Sequence, residues 1–283
     1  MAEKTQLKSS GRRLDFATLL GLAVSLGGIF IGFRHENGTL EMLRGPSAAL
    51  IVLGGCLGAT LVAHPLKTCR QAAGRLRDIL SEPSVDTASL IDQIIRYATQ
   101  ARKSGLVSLE QEASEIPDPF LRKALTLAVD GADLQDIRTM LELEIGVAEE
   151  QAEHDAKVYE SAGGFAPTVG IIGAVLGLIL VMQNLENMKE VGKGIATAFI
   201  ATIYGVGSAN LFFLPAATKI KARAHLEAQR RELMLEGVSS IVEGLNPKLI
   251  RTKLEAFLNG APPKQHSAAN LGAAAAPAPQ PHA

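Results

Sequence analysis

The fold is decided by residues 161–185, SAGGFAPTVGIIGAVLGLILVMQNL, an apolar run without Asp, Glu, Lys or Arg. Three further stretches of the 283-residue chain share this property, namely 16–33, 45–66 and 194–218. Each is about long enough to cross a hydrocarbon core of roughly 30 Å as a helix. Because a helix satisfies its own backbone hydrogen bonds in lipid, the sequence predicts an all-α integral membrane protein with four transmembrane helices. The alternative, buried core helices of a soluble protein, would require four such runs in one chain.

Basic residues beside the four spans predict their orientation, because Lys and Arg are retained on the cytoplasmic side. They lie before the first span and after the second and fourth, as Lys4, Lys8, Arg12, Arg13, Lys67, Arg70, Arg75, Arg77, Lys219, Lys221 and Arg223. The loops 34–44 and 186–193 are short, and acids match their bases. We therefore expect a cytoplasmic N-terminus (1–15) and C-terminus, with both short loops on the periplasmic side.

The first apolar run also resembles the core of a signal peptide, since Arg12 and Arg13 precede it. No small-residue cleavage site follows before the charged loop at Arg34. An uncleaved first span is therefore expected.

The segment 67–160 is predicted to be a helical cytoplasmic domain. Its apolar residues recur at helical spacing, and Gly and Pro residues divide it into several helices, at Gly105, Pro117, Pro119 and Gly131. Residues 134–160 are acid-rich and are expected to run as one helix into the third span. Residues 219–258 form a second helical section, and 259–283, rich in Ala, Pro and Gly, are expected to be disordered.

Each span carries two small residues four positions apart, a spacing that lets helix backbones approach closely. The pairs are Gly28 and Gly32, Gly54 and Gly58, Gly173 and Gly177, and Ala201 and Gly205. They predict dense packing between helices, either within one chain only or between subunits as well.

The spans contain no Asp, Glu, Lys or Arg, although proton and cation transporters usually place such a residue inside the membrane. The chain therefore transports nothing, or a partner supplies the carboxylate.

Candidate ion-pathway residues lie in the third and fourth spans. Pro167 and Ala174 share one helix face, and Thr202 offers a hydroxyl that could instead bond to its own helix. Pro215 is expected at the cytoplasmic exit of the fourth span, where it could simply end the helix.

Several classes of protein are excluded by what the chain lacks. A net charge of −1 and the absence of basic runs with aromatics argue against nucleic acid. The chain has no glycine-rich phosphate loop, GxSxG or HExxH. Cys56 and Cys69 are expected to be free thiols, and His64 sits alone at the end of the second span. No enzyme activity, cofactor or metal is predicted.

Five segments, in order along nearly the whole chain up to residue 258, resemble the MotA/PomA family of flagellar stator proteins. They are IVLGGCLGATL at 51–61, ARKSGLVSLE at 101–110, FAPTVGIIG at 165–173, ATIYG at 201–205 with LP at 214–215, and EGLNP at 243–247. No single motif is decisive, but their order on matching elements is specific.

The resemblance implies a multi-pass protein of the bacterial inner membrane that converts ion flow into torque. It implies a homo-oligomeric ring in membrane lipid around a single-span MotB/PomB-like partner, which supplies the ion-binding Asp. It further implies that Pro167, Pro215 and Thr202 belong to the ion pathway, and that Arg102 and Glu110 contact the rotor protein FliG. On spacing alone, these two charges would be solvated surface residues.

Ala174 departs from the sodium-driven members of the family, which usually carry Thr there. The chain is therefore expected to use protons. A second possibility is a relative of the ExbB/TolQ proteins, which energise outer-membrane processes, although these typically have three spans. A third is a membrane scaffold that transports nothing.

Overall fold

The computed structural model describes residues 13–82 and 87–258, and almost all of them are helical. The ten α-helices are α1 (Phe16–His35), α2 (Pro46–Ala63), α3 (Leu66–Leu80), α4 (Thr87–Ser104), α5 (Glu110–Glu115), α6 (Pro119–Val129), α7 (Leu134–Gln183), α8 (Met188–Ser208), α9 (Leu214–Val242) and α10 (Pro247–Leu258). Two two-residue strands, β1 (Arg13–Leu14) and β2 (Ser81–Glu82), pair antiparallel. The all-α class is confirmed, and the tail predicted for 259–283 lies outside the described residues.

In the part of the chain that the structure describes, four helical stretches are long and apolar enough to cross a membrane: α1, α2, α7 and the continuous path Met188–Val242. Helix α2 ends at Ala63, three residues before the predicted end of the second span. The cause is Pro65, which disfavours helical backbone in the residue before it, and His64 is accordingly extended, with φ −132° and ψ 144°.

Helix α7 is continuous over 50 residues, which confirms that the acid-rich segment runs straight into the third span. The predicted helix breaks are also confirmed. Gly105 and Gly131 have φ of +84° and +77°, a backbone region that side chains with a Cβ rarely adopt. Pro119 begins α6, where Asp118 caps the helix by accepting hydrogen bonds from the N–H groups of Phe120 and Leu121.

The chain divides into two compact units. Of the described residues, the first comprises 13–82 and Met140–Arg231, and so contains α1 to α3, most of α7, α8 and the start of α9. Outside the spans, α3 packs against α7 and α9 through a cluster that includes Ala72, Tyr159 and Ile220. The Tyr159 hydroxyl donates to the Ala72 carbonyl at 2.8 Å, and burial raises the pKa of Tyr159 to about 12.

The second unit comprises, among the described residues, Thr87–Thr139 and 232–258. Its largest fully buried side chains are aliphatic and come from both segments: Ile91, Ile94, Leu109, Ile116, Leu121, Leu125, Ile137, Leu233, Met234, Ile250 and Leu254. Gly237 lies so close to Ile94 that an added Cβ would be 2.8 Å from Ile94 Cγ2. The unit therefore has a hydrophobic core of its own, as a water-exposed helical domain requires.

Candidate functional site

Helices α7 and α8 touch backbone to backbone. A Cβ added at Gly205 would lie 2.5 Å from the Ala166 carbonyl oxygen, and one at Gly177 would lie 2.9 Å from the Ala198 nitrogen. Also on α7, a Cβ at Gly170 would lie 3.0 Å from the Ala201 carbonyl oxygen of α8. Only glycine fits at such distances, because no side chain separates the two helices.

The small-residue pairs of the four spans have different surroundings. Gly173 and Gly177, like Ala201 and Gly205, lie in the close contact between α7 and α8. The pairs in α1 and α2 face open space, since none of the described residues comes within 4 Å of a Cβ added at Gly28, Gly32, Gly54 or Gly58. Intrachain packing therefore accounts for two of the four pairs.

Pro167 lies inside α7 and is half-buried. It cannot donate the backbone hydrogen bond that the carbonyl of Gly163 would otherwise accept. Gly163 is in turn packed tightly, because an added Cβ would lie 2.6 Å from Leu214 Cδ2. Leu214 directly precedes Pro215, so the structure brings the helical turns around the two prolines together.

Pro215 does not end the helix, which excludes the alternative that the sequence had left open for this residue. Residues Ala209–Phe213 form a π-helical turn, and α9 begins at Leu214 with Pro215 in its first turn. The N–H of Leu214 donates to the carbonyl of Ala209, five residues back. The wider turn accommodates a proline, which would clash with the carbonyl four residues before it in an uninterrupted α-helix. The helix then continues to Val242.

Thr202 is half-buried on α8, and its hydroxyl donates to the carbonyl of Ala198 at 3.1 Å. The hydrogen is thereby used within the helix, while the oxygen keeps free lone pairs that could accept a bond. Thr202 lies opposite Gly170, whose added Cβ would be 3.6 Å from Thr202 Cα. Ala174, also half-buried, follows Gly170 by one turn of α7 and contributes no oxygen from its side chain.

Arg102 and Glu110 lie in the second unit, on either side of a turn. Arg102 is in the last turn of α4 and Glu110 is the first residue of α5. Both side chains are exposed, and neither forms an ion pair with any residue of 13–82 or 87–258. Each also complements the dipole of its own helix, so a modest structural role accompanies any role in binding.

Asp15 was not singled out by the sequence analysis, although the structure gives it three partners. Its side chain accepts from the Thr18 N–H at 3.0 Å and from Arg223 Nη2 at 2.7 Å, and it forms an ion pair with Lys219. The hydrogen bond from Lys219, with those from Thr18 and Arg223, outweighs the effect of burial and holds the pKa of Asp15 well below its ordinary value. An aspartate before an apolar helix does signal an N-cap, but the two bases lie over 200 positions away.

His64 is not alone, contrary to the expectation from sequence. Its Nε2 lies 2.8 Å from the Ser161 hydroxyl of α7, and Cys56 donates its thiol hydrogen to the Ala162 carbonyl at 3.3 Å. These bonds hold α2 against α7 near the junction of α2 and α3. Sequence offers no signal for such a pair, because the partners are 97 positions apart.

Two family profiles cover most of the chain. The profile for the N-terminal part of motility protein A matches residues 19–105, and the profile of the MotA/TolQ/ExbB proton channel family matches residues 112–233. Motility protein A of Bacillus subtilis is 32% identical over 246 residues, which cover 87% of this chain and 91% of that protein. The chain belongs to the MotA family. The match to the MotA N-terminal profile separates it from the ExbB/TolQ branch.

Comparisons with other proteins of the MotA family lead to the same assignment. Chemotaxis protein PomA of Vibrio alginolyticus is 30% identical over 87% of this chain and 96% of its own length. The solved C. jejuni MotAB structure superposes with a TM-score of 0.83 at 30% identity, covering 86% of this chain and 96% of the matched one. The flagellar MotAB stator complex of Bacillus subtilis gives a TM-score of 0.80 at 32% identity, covering 85% and 95%. The prediction of a membrane-embedded flagellar stator subunit that forms an ion channel is confirmed.

Proposed function

We propose that this stator subunit conducts protons together with a single-span MotB/PomB-like partner and uses their flow to drive the rotor protein FliG. The observation that carries the proposal is the lack of Asp, Glu, Lys and Arg in 161–185 and 194–218, the two closely packed spans. A proton pathway needs a titrating group, so a partner must supply it. The two solved relatives are C. jejuni MotAB and the flagellar MotAB stator complex of Bacillus subtilis, which supports a MotB-like partner.

The ion pathway is proposed to follow the polar and proline-containing parts of α7 and α8–α9. Pro167 and Pro215 weaken the helical hydrogen bonding at adjacent turns, which suits a part of the channel that changes shape. Thr202, which lies opposite Gly170 of α7, provides a hydroxyl oxygen. Because Ala174 supplies none, a dehydrated sodium ion would lose a coordinating oxygen that a proton relayed through water does not need.

Several copies of the chain are proposed to form a ring in the bacterial inner membrane. This is supported by α1, which has no buried residue within the described part of the chain, and by the small residues on α2 that have no intrachain neighbour. Such surfaces contact lipid or another copy. The ring would surround the partner and place the cytoplasmic part of each copy towards the rotor.

The N- and C-termini and the second unit are proposed to be cytoplasmic. We expect a cysteine at Glu186 to react with an impermeant thiol reagent in whole cells, whereas one at Ser104 should not react. Both sites are exposed in the structure, so accessibility of the side chain is matched. Cys56→Ala and Cys69→Ala provide the cysteine-free background. Labelling at Ser104 in intact cells would contradict the orientation.

Arg102 and Glu110 are proposed to face the rotor. They are exposed charges of opposite sign at the ends of neighbouring helices, and charges in such positions steer a partner and fix its orientation.

The function is tested by deleting the gene of this protein from a flagellated cell and then restoring it together with the gene of the partner. We expect the deletion strain to keep its flagella but not to swim, and the restored strain to swim. Swimming speed should be unchanged in sodium-free buffer and should collapse with a protonophore. Speed that follows sodium and survives the protonophore would overturn proton use. Normal swimming with an outer-membrane defect would overturn the flagellar role.

A further inference from the structure

The turn between α4 and α5 is held in one conformation by its own hydrogen bonds. The Gln100 side chain donates to the Ser108 carbonyl at 3.0 Å, and the Ser108 hydroxyl donates to the Gly105 carbonyl at 2.7 Å. Leu109 is fully buried and anchors the end of the turn. The 3-10 turn Leu106–Leu109 therefore presents its remaining side chains from a fixed backbone.

One of those side chains is Val107, which is 69% exposed. Among the side chains of the second unit that the structure describes, in 87–139 and 232–256, the only other exposed large apolar one is Leu249, at 55%. Valine is branched at Cβ and populates few rotamers, so it loses little conformational freedom when a partner covers it. A single exposed apolar residue is nevertheless common and by itself indicates nothing.

The surroundings of Val107 distinguish it from an ordinary surface residue. Arg102 precedes it by five positions and Glu110 follows it by three, and both are exposed and have no ion-pair partner in the described ranges. An apolar centre between charged groups is the usual arrangement of a protein–protein contact. The centre supplies most of the affinity once it is desolvated, and the charges select the partner.

We propose that Val107 is the apolar anchor of the rotor contact. The inference rests on the proposed function and adds a residue to its rotor surface. Because a basic, an apolar and an acidic residue follow one another along this turn, the rotor surface is expected to offer an acidic group, an apolar recess and a basic group. The recess takes the Val107 methyl groups, and the flanking charges fix the direction in which the two surfaces meet.

The test replaces Val107 by Thr, which keeps the shape and branching but exchanges one methyl group for a hydroxyl. Covering that hydroxyl in an apolar recess should weaken the contact about tenfold, from the lost methyl burial and the unpaired hydroxyl. We expect tethered cells to lose motor torque, with unchanged protein level in the membrane. Val107→Ile should preserve torque. The matched control is Leu249→Thr, which alters the other exposed apolar residue and should leave torque at the wild-type value.

Two further variants separate failure of this inference from failure of the proposed rotor surface. If Arg102→Glu and Glu110→Lys impair torque while Val107→Thr behaves like Leu249→Thr, the surface stands and Val107 is not its anchor. If all these variants give normal motor torque at a normal protein level, the proposed rotor surface itself is wrong.

Cross-linking identifies what covers Val107. In the Cys56→Ala, Cys69→Ala background, Val107→Cys should cross-link to a cysteine placed on the rotor protein in motile cells. A cross-link between two copies of this chain instead would assign Val107 to the ring and would overturn the inference.

Discussion

The α7–α8 contact and helix α1 are both membrane-spanning parts of the same unit, yet they are packed in opposite ways. The first has glycines whose added Cβ would lie within 3 Å of a facing backbone atom, such as Gly177 and Gly205. The second has no buried residue, and its glycines Gly28 and Gly32 have no neighbour within 4 Å in the described ranges. The two regions carry the same small-residue spacing in sequence.

This difference shows that small-residue spacing permits a close helix contact without specifying which helix will use it. In lipid there is no hydrophobic driving force between helices, so dispersion contacts and hydrogen bonds decide the pairing. Helices α7 and α8 follow each other in the chain and have a four-residue connection, 184–187, which keeps them adjacent. Helix α1 is connected to the rest of its unit by the cluster around Asp15.

The largest expected effect compares glycines of the two regions. Gly205→Ala forces a Cβ against the Ala166 carbonyl oxygen, so the helices must separate, at a cost of about 3 kcal/mol. Gly28→Ala, in open space, should change stability by less than about 0.5 kcal/mol. The measurement is the thermal midpoint of the detergent-purified protein, with the level in membranes as a second readout. Equal losses at both positions would mean that a neighbouring molecule packs on Gly28 as closely as Ala166 packs on Gly205.

A smaller but still large effect is expected at the attachment of α1. Asp15→Asn removes the carboxylate that pairs with the partly buried Lys219 and Arg223, which should cost about 3 kcal/mol. The matched control is Glu190→Gln, which breaks an exposed ion pair of 3.9 Å with Lys193 and should cost below about 0.5 kcal/mol. Thermal midpoints of the purified proteins compare the two. A loss no larger for Asp15→Asn than for Glu190→Gln would show that α1 is held by other contacts.

The Asp15 cluster also predicts a pH dependence. Its pairing lowers the pKa in the folded state, so the stabilisation is fully present above the unfolded aspartate pKa of about 3.9. It declines as the pH falls below that value and is fully lost once the pH has fallen through the lower folded-state pKa. The difference in thermal midpoint between wild type and Asp15→Asn should therefore be constant from about pH 8 to about pH 5. A difference that shrinks within this range would contradict the assignment.

The smallest effect concerns α2, which is packed more closely than α1 and less closely than the α7–α8 contact. The Tyr204 hydroxyl of α8 donates to the Leu43 carbonyl and accepts from the Gly45 N–H at 3.4 Å, just before α2 begins. Tyr204→Phe should cost about 1 kcal/mol and raise hydrogen exchange at the Gly45 amide about fivefold. Tyr97→Phe in the second unit is the control and should leave that amide unchanged. If hydrogen exchange at the Gly45 amide is the same in Tyr204→Phe as in the wild type, the Tyr204 hydroxyl does not protect that amide.

The sequence predicted those features that depend on local pattern. Apolar runs identified the four spans, and the acid-rich segment was correctly joined to the third span because nothing within 134–160 breaks a helix. Gly105 and Pro119 marked real helix boundaries, since their backbone preferences act on one or two residues. Five short motifs led to the MotA family, which the comparisons confirm.

Features that depend on distant partners were not predicted. Asp15 meets Lys219 and Arg223, and His64 meets Ser161, only after the spans have packed. The π-helical turn before Pro215 was also missed, because a proline in an apolar run is compatible both with a helix end and with a widened turn. The roles of Pro167, Ala174, Thr202, Arg102 and Glu110 remain predictions, since a single chain contains neither the ion nor the rotor.

The π-helical turn at Ala209–Phe213 has a consequence for the register of the helix on either side. Buried positions continue along one stripe from α8 into α9: Gly194, Ala198, Ala201, Gly205, Ala209, Ala216 and Ile220. Several of these steps are four residues long, so over its full length the stripe advances about one residue further than 3.6 per turn allows. A π-helical turn is equivalent to inserting one residue into an α-helix, and it restores the phase. Deleting one residue of 209–213 would therefore leave the phase of α9 unchanged, but it would return the segment to an α-helix, in which Pro215 clashes with the carbonyl four residues before it.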